Sequence, residues 1–266
     1  MKHERIALTC PGAFLDTYFL SASKELKRSM CRPAVIVCPG GGYAYVADGE
    51  AEPIAMALCG RGFHACVLRY PCAPARFPAA LCALAEAVAW VRAGAAENHV
   101  DPRQISVCGF SAGGHLAGSL GVFWNAPFLA AETGLVPQDM RPDKMVLCYP
   151  VITGGEFAHK GSFDNLLGAD ADAARRAEVS LEQHVTQDTP PAFLWHTYTD
   201  PGVPVENTML FAMALRRAGV PFESHIYSVG GHGLSLANEL TENTAGAGVQ
   251  SECTGWIDLV IDWLRR

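Results

Sequence analysis

From residue 105 to residue 117 the sequence reads Ile-Ser-Val-Cys-Gly-Phe-Ser-Ala-Gly-Gly-His-Leu-Ala. The first half is a short apolar run typical of a buried strand, and the second half opens a helix-like segment. Between them, Gly109 to Gly113 form a G-x-S-x-G motif. A sharp strand-to-helix turn of this kind exposes a serine hydroxyl beside a helix N-terminus, which favours developing negative charge. The motif predicts that Ser111 is a nucleophile. The alternative is a chance match in a glycine-rich chain.

Short apolar runs alternate with helix-like segments around this motif. The alternation is typical of a mostly parallel, doubly wound α/β sheet whose strands are joined by crossover helices. Strands are predicted at Ala34–Cys38, His64–Tyr70, Ile105–Phe110, Met145–Tyr149, Ala192–Thr197 and Phe222–Val229, with edge strands between Arg5 and Ser21.

Apolar residues at helical spacing predict helices at Pro78–Ala93, at Asn207–Ala218 and near the end of the sequence. In the last of these, the predicted core-facing stripe consists of Trp256, Leu259, Val260, Trp263 and Leu264. The two tryptophans are therefore interpreted as packing residues rather than ligands.

The 266 residues suit one large α/β domain, and no stretch resembles a linker or a repeat. We predict a single domain spanning residues 1–266. One irregular stretch, Val151–Pro191, places about forty residues between two predicted strands, which is longer than an ordinary connection. We expect this insertion to form a small cap or binding element.

Charge and hydropathy exclude several function classes. The net charge is −7, from 27 acidic and 20 basic residues, so no basic surplus favours a nucleic-acid partner. No apolar run approaches the roughly 18 residues of a membrane span. The N-terminal residues Met1 to Asp16 lack the apolar core of a secretory signal. We expect a cytoplasmic protein with a small-molecule substrate, and a homodimer is compatible with these features.

Cysteine and histidine usage indicates neither disulfides nor a metal. None of the ten cysteines forms a C-x-x-C pair, and several lie within apolar runs, where they behave as small buried hydrophobes. A chain of this size does not need disulfides, so we expect free thiols. The nine histidines form no H-E-x-x-H motif and no cluster at metal-ligand spacing. We expect no metal and no cofactor.

A serine nucleophile needs a base, and the base needs an acid that orients it. Asp200 follows the predicted strand Ala192–Thr197, and His232 lies in Gly230-Gly-His-Gly233 after the next strand. Ligands bind at the carboxyl ends of parallel strands, and the order Ser, Asp, His is that of α/β-hydrolases. We predict Asp200 as the acid and His232 as the base, against alternatives in which they are a turn residue and a loop histidine.

Other acids and histidines are less suitable. Asp188 precedes a strand instead of following it, and Glu206 lies in the first turn of a predicted helix, where an acid complements the helix dipole. His196 and His225 lie within predicted strands, and His115 lies one helical turn beyond Ser111. Structural roles are predicted for all three histidines.

A glycine loop, Pro39–Tyr43, follows the predicted strand Ala34–Cys38. This is where the oxyanion loop of an α/β-hydrolase belongs, and glycines let backbone N–H groups approach a substrate oxygen closely. The amides of Gly41, Gly42 and Ala112 are the predicted oxyanion donors.

The combination of PGGGY, GFSAGGHLA, D-x-x-VPVEN and GGHG resembles the α/β-hydrolase superfamily from Val35 to Trp263. More narrowly, it resembles small bacterial acetyl esterases related to acetylxylan and feruloyl esterases, near the hormone-sensitive-lipase branch. That branch has H-G-G-G where this chain has Pro39, a departure that favours the carbohydrate-esterase side. The resemblance implies Ser111, Asp200 and His232 as nucleophile, acid and base.

We therefore expect a serine esterase that acts through an acyl-enzyme. Tyr43 and Tyr45 follow the glycines and are predicted to contact the substrate, because aromatic rings with a polar tip suit sugars. The insertion carries polar residues, among them His159, instead of a long apolar face. These features favour acetyl esters of xylo-oligosaccharide-type carbohydrates. Alternatives are a general short-chain carboxylesterase or feruloyl-type esterase, a peptidase or amidase, and a non-catalytic binding protein.

Overall fold

Runs of β-branched and other apolar residues form the centre of an eight-stranded sheet in the computed structural model, which describes residues 1–27 and 29–266. The strands are β1 (Lys2–Ala7), β2 (Phe14–Phe19), β3 (Arg32–Cys38), β4 (His64–Arg69), β5 (Val100–Phe110), β6 (Lys144–Cys148), β7 (Ala192–Thr197) and β8 (Phe222–Tyr227). Their order in the sheet is β1-β2-β4-β3-β5-β6-β7-β8. Strands β3 to β8 pair in parallel, and β2 joins β1 and β4 in antiparallel pairs. The carboxyl ends of β3 and β5 to β8 therefore share one edge of the sheet.

Helices connect these strands and cover both faces. They are α1 (Glu52–Cys59), α2 (Ala79–Ala93), α3 (Ala112–Phe123), α4 (Pro127–Thr133), α5 (Pro137–Met140), α6 (Lys160–Leu167), α7 (Ala173–Ala177), α8 (Glu206–Ala218) and α9 (Trp256–Arg265). Alternation along the strands divides the core, since Ala34 and Ile36 pack with α2, α3 and α8, whereas Val35 and Val37 pack with α1 and α9. Burial of both faces explains why the strands read as continuous apolar runs.

The predicted doubly wound α/β sheet is confirmed. Strand β7 has the predicted bounds, whereas β5 begins at Val100 instead of Ile105, because Val100 pairs with Arg32 of β3 ahead of a register shift. The antiparallel edge strands β1 and β2 fall where edge strands were expected.

The predicted core-facing stripe in α9 is wrong at one residue, Leu259. Leu259 is 38% exposed, while Ile257 and Ile261 face the core beside Trp256 and Trp263. The buried face is wide and is turned toward Ile257 and Ile261, which leaves Leu259 outside it. Both tryptophans pack in the core as expected.

The segment Val151–Pro191 contains α6, α7 and a short 3₁₀ turn, Leu181–Gln183. Phe163 of α6 is buried in the core, and the Asn165 side chain donates a hydrogen bond to the carbonyl oxygen of Gly42 at 2.9 Å. Helix α6 is thereby fixed beside the glycine loop.

All ten cysteines are free. Within residues 1–27 and 29–266, no helix is long and apolar enough to cross a membrane.

Candidate active site

Ser111 lies on a strained turn between β5 and α3. Its backbone has φ 53° and ψ −119°, which is unusual for a residue other than glycine. A Cβ atom at Gly113 would lie 2.0 Å from the carbonyl oxygen of Cys38, and one at Gly109 would lie 2.1 Å from that of Gly113. The glycines of the motif are therefore required by the close approach of β3, β5 and α3.

The structure brings Ser111, His232 and Asp200 into one hydrogen-bonded series. Ser111 Oγ lies 2.7 Å from His232 Nε2, and His232 Nδ1 lies 2.7 Å from Asp200 Oδ2. An ionised carboxylate can only accept, so Nδ1 carries the ring proton and Nε2 is left as an acceptor for the serine hydroxyl. The geometry gives His232 the tautomer that a general base requires.

Asp200 is held by donors from two sides. Its Oδ1 accepts the backbone N–H groups of Gly202 at 2.8 Å and Val203 at 2.9 Å, and Oδ2 lies 3.3 Å from His196 Nε2. Burial would raise the pKa of Asp200, but hydrogen bonds from His196, His232 and the Val203 amide hold it well below its ordinary range. The carboxylate is therefore ionised and fixed in orientation.

The competing residues lie elsewhere or have other partners. Asp188 is exposed at the opposite end of β7, and Glu206 begins α8. His225 pairs with Glu223 on β8, as expected for a structural role. His196 is fully buried between Thr208 and the Val203 carbonyl, but it also approaches Asp200, a contact that sequence reasoning missed. The four-residue spacing of His196 and Asp200 across a strand end was the available signal.

The glycine loop adopts backbone conformations that favour glycine. Gly41 has φ 119° and Gly42 has φ 63°, and a Cβ atom at Gly41 would lie 2.2 Å from the carbonyl oxygen of Tyr45. Among residues 1–27 and 29–266, the amides of Gly41, Gly42 and Ala112 have no hydrogen-bond acceptor. Gly41 and Gly42 line the same cavity as Ser111, and Ala112 is the first residue of α3. The lack of an acceptor within the described residues is what the predicted oxyanion donors require.

A cavity of about 530 Å³ opens beside Ser111 and His232. Tyr45 lines it and is 64% exposed, while His159 enters it from the segment before α6. Because the Ser162 amide donates to His159 Nδ1, the ring proton of neutral His159 lies on Nε2. Burial lowers the pKa of His159, with the charge of His232 acting in the same direction. The cavity is thus lined by a phenol and a neutral imidazole donor.

Tyr43 does not lie where the sequence predicted. It is 3% exposed, and its hydroxyl lies 2.8 Å from His115 Nδ1 beneath the glycine loop. His115 Nε2 donates to the Val179 carbonyl at 2.8 Å, so Nδ1 accepts from Tyr43. The φ of Tyr43 is 59°, and its side chain enters the core. Tyr43 therefore supports the loop from below and does not line the cavity, which corrects its assignment as a substrate contact.

Glu50 is a site residue that sequence reasoning missed. The residue is 6% exposed and lines the cavity, and its carboxylate accepts the Gly40 amide at 2.7 Å and the Tyr149 hydroxyl at 2.7 Å. Two residues before Glu52 in the stretch Asp48-Gly-Glu-Ala-Glu52, it resembles an ordinary acid near a helix start, so the sequence carried little signal.

Within the described residues, no group of three or more His, Cys, Asp or Glu side chains could hold a metal ion.

This sheet and site define the protein as an α/β-hydrolase, and solved structures agree over nearly the whole chain. An acetyl ester-xyloside bifunctional hydrolase from Caldicellulosiruptor lactoaceticus is 38% identical, with a TM-score of 0.84, covering 98% of this chain and 95% of that one. The carboxylesterase Cest-2923 from Lactobacillus plantarum WCFS1 is 28% identical, with a TM-score of 0.87, covering 100% and 97%.

The BD-FAE family model matches residues 16–215, and the chain belongs to this family. Endo-1,4-beta-xylanase B from Butyrivibrio fibrisolvens is 38% identical over 217 residues, which are 78% of this chain and 33% of the relative. An acetylxylan esterase from Xylanibacter ruminicola is 29% identical over 209 residues, or 76% and 41%. The chain spans between a third and about half the length of the curated relatives it matches. The predicted family resemblance is confirmed.

Proposed function

We propose that this protein is a serine ester hydrolase that removes acetyl groups from acetylated xylo-oligosaccharide-type carbohydrates. The observation that supports the chemistry most directly is the series from Ser111 Oγ to His232 to Asp200, with 2.7 Å at each step. A serine whose hydroxyl points at an unprotonated imidazole nitrogen is an activated nucleophile.

In the proposed reaction, Ser111 Oγ attacks the ester carbonyl carbon while His232 Nε2 takes the serine proton. The carbonyl oxygen becomes an oxyanion that the amides of Gly41, Gly42 and Ala112 stabilise. His232 then gives its proton to the departing alcohol oxygen and leaves an acyl-Ser111 ester. Water, deprotonated by His232, attacks this ester, and His232 returns the proton to Ser111 Oγ as the carboxylic acid is released. Asp200 stabilises the imidazolium throughout, and the reaction needs no cofactor.

The substrate class rests on the shape and chemistry of the cavity. Tyr45 presents an exposed ring at the mouth, and His159 presents a neutral N–H donor, a pair suited to a sugar ring and its hydroxyls. Gly41, Gly42 and Ser111 line the same cavity, where we propose that a small acyl group binds. The names of the xylanase, acetylxylan esterase and acetyl ester-xyloside hydrolase relatives agree with this choice.

Two measurements test the proposal. A fluorophosphonate probe should label the wild-type protein once, at Ser111, and Ser111→Ala should lose about a millionfold in kcat by analogy with other serine hydrolases. Labelling at another serine, or an active alanine variant, would refute the nucleophile. A folded and inert wild-type protein would favour the non-catalytic binding protein.

The substrate is tested with a panel of esters at matched concentrations. Acetate should be released from acetylated xylo-oligosaccharides, and p-nitrophenyl acetate should be hydrolysed much faster than the octanoate. A preference for the octanoate without acetate release would leave a general carboxylesterase. Faster hydrolysis of feruloyl esters than of acetyl esters would favour the feruloyl-type alternative.

A further inference from the structure

Glu50 joins three segments that meet at the candidate site. Its Oε2 accepts the Gly40 amide, one residue before the predicted oxyanion donors. Its Oε1 accepts the Tyr149 hydroxyl at the end of β6. Tyr149 Oη in turn accepts the Ser235 amide at 2.9 Å, in the histidine loop, residues 228–235. One buried carboxylate therefore ties the glycine loop to the histidine loop.

A second hydrogen bond joins the turn that carries Glu50 to the histidine loop. The Ser235 hydroxyl donates to the Gly49 carbonyl, so the 3₁₀ turn that carries Glu50 is fixed to the histidine loop at two points. The Tyr149 ring stands edge-on to the His232 imidazole, with ring centres 5.1 Å apart and planes at 70°. The Glu50 network thus reaches the candidate base through Tyr149.

The directions of these bonds favour the ionised form of Glu50. The Ser235 amide can only donate, so Tyr149 Oη accepts that hydrogen bond and donates its own O–H to Glu50 Oε1. The Gly40 amide likewise only donates, so both Glu50 oxygens act as acceptors. Burial raises the pKa of Glu50, while the Tyr149 and Gly40 hydrogen bonds and the positive charge of His232 act against that rise. The arrangement is that of an ionised carboxylate.

We propose that Glu50 is a positioning residue of the site, whose carboxylate holds the glycine loop in register with Ser111 and favours the positive form of His232. The inference rests on the proposed ester hydrolysis. Loss of one Glu50 bond lets the Gly41 and Gly42 amides move away from the developing oxyanion. A displacement of about 1 Å can cost about a hundredfold in rate, and the charge of Glu50 adds to the stabilisation of the imidazolium.

Other charged or titratable groups near these two residues define the background of the test. His232 is faced by Asp200 at 2.7 Å, by the Tyr149 ring and by His159, which interacts with it electrostatically. Besides Tyr149 and His232, Glu50 acts electrostatically on Tyr70 and Cys148, whose pKa values burial raises well above their ordinary ranges. The carboxylates that act on His232 are therefore Asp200 and Glu50.

The test compares Glu50→Gln with Glu52→Gln, an exposed acid two residues away. Glutamine offers one acceptor where glutamate offers two, so either the Gly40 amide or the Tyr149 hydroxyl loses its partner. With p-nitrophenyl acetate, Glu50→Gln should lower kcat by ten- to a hundredfold with KM within twofold of wild type. The acid side of its pH–rate profile should move to lower pH, because a negative charge near the imidazolium is gone. Glu52→Gln should match wild type in all three measurements.

A reversible trifluoromethyl ketone, which forms a tetrahedral adduct with an active serine, should bind Glu50→Gln more weakly by the same factor as kcat falls. The inference is overturned if kcat stays within threefold of wild type, if only KM rises, or if the pH profile does not move. If Glu50→Gln does not fold, Tyr149→Phe replaces it, because it removes the bond to Oε1 and keeps the one from Gly40. It should lose at least fivefold in kcat, and unchanged kcat would refute the inference. An inactive wild-type protein would instead refute the proposed function.

Discussion

Replacing Asp200 by asparagine should disable the candidate base by reversing the His232 tautomer. The amides of Gly202 and Val203 both donate to Oδ1, so the asparagine oxygen must occupy that position. The asparagine NH₂ group then takes the place of Oδ2, 2.7 Å from His232 Nδ1. Two donors cannot face each other, so the imidazole proton shifts to Nε2, which then donates to Ser111 Oγ and can no longer accept its proton.

The expected loss in kcat is about four orders of magnitude, the size measured for the same change in serine proteases, and it corresponds to about 5 kcal/mol of barrier. The assay is p-nitrophenyl acetate hydrolysis, with the rate of fluorophosphonate labelling as a second measure of nucleophilicity. Thermal unfolding checks that the variant is folded. Asp188→Asn and Glu206→Gln are matched controls and should stay within a few-fold of wild type. If Glu206→Gln is as damaging as Asp200→Asn, or if Asp200→Asn keeps more than a hundredth of the activity, the tautomer argument is refuted.

Three further predictions follow from single contacts. Gly113→Ala should lower the free energy of unfolding, measured with urea, by at least about 3 kcal/mol, since its Cβ meets backbone oxygens at 2.0 Å and 2.3 Å. The control Gly255→Ala has open space around its Cβ and should be nearly neutral in the same measurement. Burial lowers the pKa of His115 to about 4, so the unfolded chain binds more protons than the folded one between pH 6.5 and 4, and stability falls as pH falls through that window. The loss of stability from this group is about 3 kcal/mol. A His115→Gln variant whose stability falls equally steeply with pH would contradict this prediction. Tyr45→Ala should raise KM for acetylated xylo-oligosaccharides several-fold and leave that for p-nitrophenyl acetate nearly unchanged; equal effects on both would place the ring at the acyl group.

The arrangement of the sheet could be predicted because its strands are buried on both faces. Runs such as Ala192–Thr197 carry no polar interruption, so their ends are visible in the sequence. The start of β5 was less visible, since mostly polar residues separate Val100 from Ile105 and lie in a register shift between β5 and β3 that only the fold defines. The prediction that Leu259 is buried was wrong for a related reason. Helical spacing shows that one face of a helix is apolar, but it does not fix the centre of that face.

The hydrogen-bonded series could be predicted because each member has a local signal. Ser111 has its flanking glycines, and both Asp200 and His232 follow strands that end at the same edge of the sheet. Tyr43 was misplaced because Tyr45, two residues later, is the same residue type, and the sequence does not reveal the positive φ of Tyr43. Glu50 carried little signal, because its partner Tyr149 and the next member of the network, Ser235, are far away in the sequence and meet it only when the loops meet.

The two buried carboxylates near His232 have unequal surroundings, and the difference assigns them different roles. Asp200 accepts two amides and two imidazole nitrogens, and these donors outweigh the effect of burial on its pKa. Glu50 accepts one amide and one hydroxyl, and burial dominates, so its pKa is raised. A carboxylate with many donors is suited to stay ionised in direct contact with the imidazole. A carboxylate with two donors, each from a different segment, is suited to hold those segments together, and losing either donor leaves a buried charge poorly solvated. The same imidazole is thus oriented by Asp200 and, in our proposal, aligned with the glycine loop through Glu50.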